Sequence, residues 1–241
     1  MSGKGFVDNV HKACSLKWTL STYNPMTNED SAVKRHRQTY RHGDLRRALL
    51  GAGVALAREG GPDNIVLREA TRRVGVVPNA AYRHFANRQS LFDAVRSAAL
   101  GALAEAIERE WSNTDAIADP AARARARLAA VGAGYLGFAR AETGLFRTAF
   151  ASGEHDVALP PDPARTGSMG LNPFELLSAA LDAMVEAGVL PSERRPGAEF
   201  LAWSAVHGMA LLSIDGPLRG ASPEALGELG RRLLLMVEQG L

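Results

Sequence analysis

The sequence contains almost no cysteine, since Cys14 is the only one in 241 residues. A single thiol excludes an internal disulfide framework and any zinc site built on paired cysteines, and it suits a reducing compartment. Long hydrophobic runs are also missing. The longest apolar stretch, Leu128 to Ala139, is interrupted by glycines and is too short to span a bilayer. We therefore expect a soluble, cytoplasmic protein that has no membrane partner.

The motifs of several enzyme classes are absent as well. The sequence has no GxSxG nucleophile elbow, no HExxH zinc motif and no phosphate-binding loop. Gly51 and Gly53 lack the third glycine and the preceding strand of a dinucleotide fingerprint. We therefore expect no catalytic residues, no metal site, no cofactor and no enzymatic activity.

Strict alternation of apolar and polar residues, which is typical of a half-buried strand, is also missing, and helical periodicity takes its place. Leu45, Leu49, Ala52 and Leu56 form one apolar face, which ends at the Gly60-Gly61-Pro62 breaker. The same reasoning predicts four later helices. They begin at Asp119-Pro120, at Asn172-Pro173 (running to Ala187), at Gly197 (running to Ile214) and at Ser222-Pro223 (reaching Glu238). A loop is expected between Ser152 and Gly170, and the fold class is all-α.

Three elements between residues 60 and 112 follow one another closely. A short helix from Leu67 to Val74 ends at Gly75, and a second helix of barely two turns follows from about Pro78 to His84. A longer helix then begins after Asn87 and reaches Trp111. A helix, a glycine-centred turn and a second short helix are typical of a helix-turn-helix, here at about residues 65–85.

The charges are divided unevenly along the chain. Residues 1–97 contain 16 Lys and Arg against 8 Asp and Glu, whereas residues 98–241 contain 12 against 18. The densest basic stretch runs from Lys34 to Arg47, and by itself it would also fit a solvated, disordered tail. Next to a helix-turn-helix, it favours a polyanionic partner for the first part of the chain.

The second short helix carries side chains suited to reading base edges in a major groove. We expect Asn79, Ala80 and Arg83 to be exposed, with Tyr82 beside them, while Ala81 and Phe85 face inward. Asn79 can pair with adenine, Arg83 can pair with guanine, and the methyl group of Ala80 can contact thymine. The phosphate contacts are assigned to Tyr82, His84 and Arg88, which flank the reading face.

Residues 40–95 resemble the DNA-binding domain of TetR-family transcriptional regulators. The specific parts are the RHGDLRRALL opening, the VGV turn, AYRHF at the end of the second short helix and the NRQSLFDAV start of the next. The remainder is similar to the ligand-binding and dimerising part of one TetR subgroup. The Trp–His–Gly signature of that subgroup would be Trp203, His207 and Gly208.

This resemblance implies a three-helix DNA-binding domain at residues 40–96 and a helical ligand-binding and dimerisation domain at 97–241. It also implies a homodimeric, ligand-responsive and usually repressing regulator of a double-stranded DNA operator, associated with the nucleoid. By resemblance, the DNA-contacting residues are Arg68, Asn79, Ala80, Tyr82, His84 and Arg88. The residues themselves add Arg83 to this set, and Arg41 as part of a basic arm that reaches an adjacent minor groove.

Three residues depart from the family pattern. Val77 stands where a serine-like cap is usual, so we expect the following helix to lose about 1 kcal/mol and one phosphate contact. Thr71 replaces a small apolar residue, and Arg88 replaces a lysine. The family also does not normally carry a lead of 39 residues. We expect residues 1–39 to be a disordered basic extension, with Met26 as an alternative translation start.

The C-terminal part offers candidates for a pocket and for a dimer surface. Tyr135, Phe138, Phe146, Trp203 and His207 are the candidate pocket residues for an unknown small effector, although Tyr135 and Trp203 also suit a core. His207 fits a hydrogen-bonded core histidine better than a metal ligand. The last two helices are the expected dimer surface. Two rivals stay open: an enzyme or carrier with a vestigial DNA module, and a non-specific architectural DNA binder.

Overall fold

The computed structural model of the protein describes residues 42–151 and 162–241. These residues form nine α-helices and no strand, which confirms the all-α class. The helices are α1 (His42–Gly60), α2 (Leu67–Val74), α3 (Pro78–Tyr82), α4 (Arg88–Ser112), α5 (Pro120–Ala141), α6 (Thr143–Ala149), α7 (Pro173–Glu186), α8 (Ala198–Ile214) and α9 (Pro223–Gly240). The predictions for the extension at 1–39, for Arg41 and for residues 152–161 lie outside the described residues.

The first three helices form around an apolar centre that the periodicity predicts. Leu45, Leu49 and Leu56 of α1 are buried, as are Leu67 of α2 and Phe85 just after α3. A guanidinium lies over one of these buried rings, with the Arg46 Cζ atom 5.2 Å from the centre of the Phe85 ring. The end of α3 is therefore anchored on α1.

Helix α4 joins this unit to the rest of the described chain. It begins with a capping box in which the Asn87 side chain accepts a hydrogen bond from the Ser90 backbone N–H, while the Ser90 hydroxyl accepts one from the Asn87 backbone N–H. Its apolar stripe is buried against α1 on one side and against α5, α6 and α7 further along. The boundary expected between residues 40–96 and residues 97–241 thus falls inside one continuous helix. Any tilt of α4 therefore moves residues on both sides of this boundary.

The later helices begin where the sequence places them. Asp119 caps α5 through a 2.7 Å hydrogen bond, Asn172 caps α7 in a capping box with Glu175, and Ser222 caps α9. The predicted helix from Gly197 is α8, with Gly197 as its N-cap residue. The cap residue and the first-turn proline in three of these helices explain why the sequence located their starts so closely.

Two elements differ from the sequence prediction. Helix α3 ends at Tyr82, two residues before the predicted end at His84. A separate helix, α6, follows α5 because Glu142 leaves the helical conformation (φ −122°, ψ 47°). No helix breaker marks this point, since neither proline nor glycine stands at residues 141–143.

Candidate functional site

Helices α2 and α3 are joined by a tight turn that only glycine adopts without strain. Gly75 has φ +75°, and the N–H of Val76 donates to the Thr71 carbonyl at 3.1 Å. Thr71 is buried, and its hydroxyl donates to the Arg68 carbonyl at 2.7 Å. Thr71, which stands where the family usually has a small apolar residue, thus has its hydroxyl hydrogen-bonded inside α2. The substitution leaves the turn intact.

Helix α3 presents one face to solvent and one to the core. Ala81 and Phe85 are buried, as the sequence predicts, while Asn79, Tyr82 and Arg83 are exposed. The structure brings these three exposed side chains onto one short helix and its C-terminal end. Asn79 and Arg83 form the candidate reading face, and Tyr82 lies beside them.

The expected exposure of Ala80 was wrong, because this residue is half-buried and packs against the core. One turn of helix separates Ala80 from His84, which is half-buried as well. The sequence did not predict the partial burial of Ala80 because α3, which has only five residues, packs against both α1 and α2. The methyl group of Ala80 is therefore less available for a contact with thymine than the exposed side chains are.

The start of α3 has no side-chain cap, as the sequence predicts. Val77 is the N-cap residue, its side chain makes no cap hydrogen bond, and it is 68% exposed. Its backbone is extended (φ −72°, ψ 144°), which is the conformation that a capping serine or threonine adopts. The missing cap is therefore a matter of side-chain chemistry alone.

Arg88, the first residue of α4, braces the segment before α2. Its Nε donates to the Ile65 carbonyl at 2.9 Å, and its Nη2 donates to the Pro62 carbonyl at 3.0 Å. The side chain is nonetheless exposed. It is thus held at the surface beside the helix-turn-helix, where the sequence reasoning expected only a phosphate contact.

The charged side chains of α2 form ion pairs, with the exception of Arg68. Glu69 accepts hydrogen bonds from Arg72 and Arg73, which lower its pKa to about 2, and Arg73 also binds Glu59. Arg68 is exposed, and no ion pair or side-chain hydrogen bond within the described residues engages it. The same holds for Arg83, so these two guanidinium groups remain available to an anionic partner.

A cavity of about 240 Å³ lies between α4, α5, α7, α8 and α9. Its lining is almost wholly apolar, with aliphatic residues such as Leu128 and Val206 and an aromatic cluster that includes Phe150, Phe174 and Trp203. Among the described residues that line it, Arg165 is the charged one. A largely apolar cavity with few polar groups is the usual form of a small-molecule site.

Tyr135 and Trp203 line the cavity and share a hydrogen-bond chain with His207. The Trp203 indole N–H donates to the Tyr135 hydroxyl at 3.2 Å, and that hydroxyl lies 2.6 Å from His207 Nδ1. Burial raises the pKa of Tyr135, against a smaller opposite effect of the Trp203 hydrogen bond, and burial lowers the pKa of His207. The side chains of Tyr135 and His207 are therefore both neutral at neutral pH, and each provides a hydrogen-bond partner for the other.

The other three predicted pocket residues do not line this cavity. Phe146 and His207 form a layer behind it, with their ring centres 5.7 Å apart, and Phe138 is buried in the core on α5. The sequence pattern placed aromatic residues near the site correctly but did not separate the cavity wall from the residues that support it.

A short segment, residues 162–172, crosses the outside of α4 and reaches the cavity; we name it the strap. Its backbone passes close to α4 at Gly101, where a Cβ atom would lie 2.5 Å from the Ala164 carbonyl oxygen. Arg165 Nε donates to the Ser97 hydroxyl of α4 at 3.2 Å. The strap thus touches α4 on one side and the cavity on the other.

Glu108 of α4 is the firmest attachment of the strap. This carboxylate is buried and accepts hydrogen bonds from the Ser168 N–H (2.8 Å), the Ser168 hydroxyl (2.6 Å) and the Met169 N–H (2.9 Å). Burial alone would raise the pKa of Glu108, but the hydrogen bonds from Ser168 and Met169 together outweigh it and hold the pKa below its ordinary value. A charged carboxylate therefore fixes the strap to the helix.

Sequence reasoning missed Glu108 and Arg165. A signal for Glu108 was present, because it stands four residues after Ala104 and three before Trp111, inside the apolar stripe of the long helix. A charge at such a position needs a partner. Arg165 gave no signal, since it lies in a stretch that reads only as a loop.

The described parts of α8 and α9 expose apolar side chains that no other described element covers. Leu201 and Leu212 of α8 are 65% and 45% exposed, and Met236 of α9 is 59% exposed. On α8, the small residues Ser204 and Gly208 lie between the leucines on the same face. This exposed apolar face is a candidate interface.

Two kinds of feature are missing from residues 42–151 and 162–241. No group of three or more His, Cys, Asp or Glu side chains is placed to hold a metal ion. No helix in these ranges combines the length and hydropathy that crossing a bilayer requires.

Comparisons with known proteins agree with this geometry. Residues 49–95 match the family model of bacterial regulatory proteins of the tetR family, and residues 128–237 match that of the tetracyclin repressor-like C-terminal domain. The two matched segments together make up well over half of the chain. No curated protein matches the sequence significantly.

Among solved structures, a protein of unknown function from Rhodococcus sp. RHA1 is 26% identical, with a TM-score of 0.64. The match covers 85% of this chain and 98% of that one. A proposed transcription regulator from Lactobacillus plantarum is 17% identical, with a TM-score of 0.40, over 78% of this chain and 97% of that one. The second overlap is too low to indicate a shared fold.

Proposed function

This chain belongs to the TetR family of DNA-binding transcriptional regulators, and on that premise we propose that it is a ligand-responsive repressor. It binds a pseudo-palindromic operator as a homodimer, and a small effector releases it. Residues 40–96 serve as the DNA-binding domain and 97–241 as the ligand-binding and dimerisation domain.

The observation that carries the proposal is the two-sided packing of α3. Phe85 and Ala81 fix the helix on the core, so Asn79, Tyr82 and Arg83 are held outward at one place. A short helix held in this way fits a major groove about 12 Å wide, where Asn79 can pair with adenine and Arg83 with guanine. Arg68, Tyr82, His84 and Arg88 are the proposed phosphate contacts, which set the position of α3 on the duplex.

A homodimer is favoured by the exposed apolar faces of α8 and α9. Two such helices from each protomer would form a four-helix bundle about a two-fold axis. This arrangement would place two copies of α3 at half-sites one helical turn apart, about 34–36 Å. The operator would accordingly be two-fold symmetric.

The release mechanism rests on α4, which contacts both the DNA-binding helices and the cavity helices. An effector in the cavity would press on the strap, and the strap is fixed to α4 at Ser97 and Glu108. A tilt of α4 would then change the spacing of the two α3 helices. A coupling free energy of about 1–3 kcal/mol changes DNA affinity by about 5–150-fold, which is sufficient for a switch.

The decisive experiment measures binding of the whole chain to the DNA upstream of its own gene and to scrambled DNA, at two salt concentrations. The proposal predicts a clear preference for one sequence at both concentrations, and a loss of sequence discrimination at one base position in Arg83→Ala. Equal loss of affinity on every sequence in Arg83→Ala would contradict the role assigned to this residue.

The same experiment separates the two rivals. A non-specific architectural binder would show a steep salt dependence with no preference among sequences. An enzyme or carrier with a vestigial DNA module would show no salt-sensitive DNA affinity at all. Either result would overturn the proposal.

A further inference from the structure

We propose that the effector is a small, uncharged aromatic compound, a refinement that rests on the proposed ligand-responsive function. The inference begins from the polar groups of the cavity wall. Among the described residues that line the cavity, four have a polar side-chain atom: Tyr135, Arg165, Asn172 and Trp203. Each of these side chains already has a partner within the protein, so none of them requires a charge on the ligand.

The hydroxyl of Tyr135 has partners on two sides. It accepts a hydrogen bond from the Trp203 indole N–H at 3.2 Å, and it lies 2.6 Å from Nδ1 of His207. The indole N–H is the only polar group of a tryptophan side chain, so Trp203 has no further donor to offer. Burial raises the pKa of Tyr135 and lowers that of His207, so this part of the wall carries no charge that a ligand could neutralise.

The other two polar side chains are engaged at the edge of the cavity. The Asn172 side-chain oxygen accepts hydrogen bonds from two backbone N–H groups in the first turn of α7. Arg165 Nε donates to the Ser97 hydroxyl at 3.2 Å, and the Asp162 carboxylate lies 3.9 Å from the same nitrogen. The guanidinium thus has both a hydrogen-bond acceptor and an opposite charge inside the protein. A ligand carboxylate would have to compete with these groups.

A ligand charge of either sign would therefore lower the affinity. Transfer of an ion from water into apolar surroundings is costly unless the protein supplies a new partner. An anion would find only donors that are already in use. A cation would be attracted by the faces of the aromatic rings, but the positive charge of Arg165 in the same wall opposes it.

The rings of the wall favour an aromatic body. Trp203 lies between two phenyl rings, with its ring centre 6.1 Å from that of Phe150 and 6.2 Å from that of Phe174. The Tyr135 ring centre lies 5.8 Å from that of Phe150. These pairs are tilted or edge-to-face, which is the geometry in which aromatic rings attract one another. A ligand ring can extend this cluster, whereas a saturated ring of the same size cannot.

The cavity volume limits the size of the ligand. A volume of about 240 Å³ holds roughly eight water molecules at about 30 Å³ each, which corresponds to a compound of about ten non-hydrogen atoms. A benzene ring with a short side chain is of this size.

The first test keeps one carbon skeleton and changes its charge. Isothermal titration calorimetry of the full chain at pH 7.5 compares 3-phenyl-1-propanol, 3-phenylpropionate and 3-phenylpropylammonium, which are neutral, anionic and cationic. We expect the alcohol to bind about tenfold or more tightly than either ion, because the wall offers no free partner for a charge. An ion that binds as tightly as the alcohol, or more tightly, would overturn the uncharged class.

The second test keeps the charge and changes the ring. The same titration compares 3-phenyl-1-propanol with 3-cyclohexyl-1-propanol. We expect the phenyl compound to bind about threefold to tenfold more tightly, which is the contribution of one aromatic pair beyond the buried area. Equal affinity of the two alcohols would overturn the aromatic class.

Trp203→Leu should reduce the affinity for the phenyl alcohol to that for the cyclohexyl alcohol. Phe174→Leu should remove part of the preference and, because the Phe174 ring is itself exposed, it keeps the test informative if Trp203→Leu does not fold. Phe200→Leu makes the same change at an exposed ring of α8 that does not line the cavity, and it should keep the preference. A preference that survives both Trp203→Leu and Phe174→Leu would overturn the role of the rings.

The outcomes separate the ligand class from the proposed function. A phenyl alcohol that does not bind to the wild-type chain would overturn the ligand class. Ala202→Leu, which fills the cavity, should abolish binding of the alcohol; unchanged binding would overturn the cavity as the site. Saturating alcohol should also weaken operator binding by the wild-type chain. Binding of the alcohol with no change in DNA affinity would support the ligand class and contradict the ligand-responsive function.

Discussion

At the scale of single residues, Glu108 shows how one side chain can hold a whole segment in place. Its three hydrogen bonds all come from the strap, and the carboxylate is buried where α4 and the strap meet. A buried acceptor of this kind is worth more than a surface ion pair, because its loss leaves several donors unpaired at once. The strap should accordingly depend on the charge at this position.

Glu108→Gln should lower the free energy of unfolding by about 1.5–3 kcal/mol. The amide nitrogen of glutamine would face donors of Ser168 or Met169 whose hydrogen bonds the carboxylate now accepts. Glu105→Gln, at an exposed position one turn earlier on the same helix, should change it by less than about 0.5 kcal/mol. Urea titrations of both variants at pH 7 check this. A loss of similar size in the two variants would show that α4, and not the strap contact, is responsible.

The contribution of Glu108 should also depend on pH. The folded-state pKa is lowered, so the stabilisation is fully present above the ordinary glutamate pKa of about 4.3 and is lost as the pH falls through the folded value. The difference in stability between wild-type protein and Glu108→Gln should therefore shrink below about pH 4. A difference that stays constant down to pH 3 would contradict an ionised Glu108.

Arg88 is a second residue whose role changes with the structure. Arg88→Ala should weaken binding to all DNA sequences alike and reduce the salt slope by about 1, as expected for a phosphate contact. Because its guanidinium also binds the carbonyls of Ile65 and Pro62, the variant should lose about 1–3 kcal/mol of stability as well. Salt-dependent DNA titrations and urea unfolding check the two effects separately. Unchanged stability would show that the brace contributes nothing.

At the scale of elements, α3 is the shortest of the described α-helices, and its start has no side-chain cap. Val77 has the backbone of a cap residue but not the side chain. Val77→Ser should supply an acceptor for the free N–H groups and stabilise the helix by about 1 kcal/mol. It should also strengthen DNA binding, because the hydroxyl adds a phosphate partner.

Hydrogen exchange of the α3 amides, together with DNA titration, measures both effects. Val77→Ala is the matched control, since it removes the exposed isopropyl group without adding a cap. Equal exchange in the serine and alanine variants would contradict the capping argument.

The elements also show what a sequence can and cannot predict. Helices α4, α5, α7 and α9 begin at cap residues, and the last three of these also have a first-turn proline; these signals act within a few residues and can be read from the sequence. The end of α5 and the start of α6 depend on packing against α1, which no local pattern records. The strap is irregular, and its position is fixed by Glu108 and Gly101 on a distant part of the chain, so the cavity wall was only partly predictable.

At the scale of the whole molecule, the proposed homodimer rests on the exposed apolar faces of α8 and α9. Leu201→Glu would place a charge in the centre of the proposed interface. Burying an unpaired charge costs about 3–5 kcal/mol, which is more than ~100-fold in the dimerisation constant. Light scattering at micromolar concentration should show a dimer for the wild-type chain and a monomer for the variant.

Ala116→Glu, at an exposed position outside α8 and α9, serves as the control and should stay dimeric. The monomeric variant should also lose most of its DNA affinity, because a single copy of α3 reads only one half-site. A wild-type chain that is monomeric under these conditions would contradict the two-fold arrangement.

The most direct test of the account measures affinity for an operator whose two half-sites are moved apart by five base pairs. A rigid pair of α3 helices reads one face of the duplex, and half a helical turn rotates the second half-site to the opposite face. Paired reading by two α3 helices predicts that binding falls to the level of a single half-site and that the effect is the same for either half-site left intact. Undiminished affinity for the spread operator would contradict paired reading by two recognition helices.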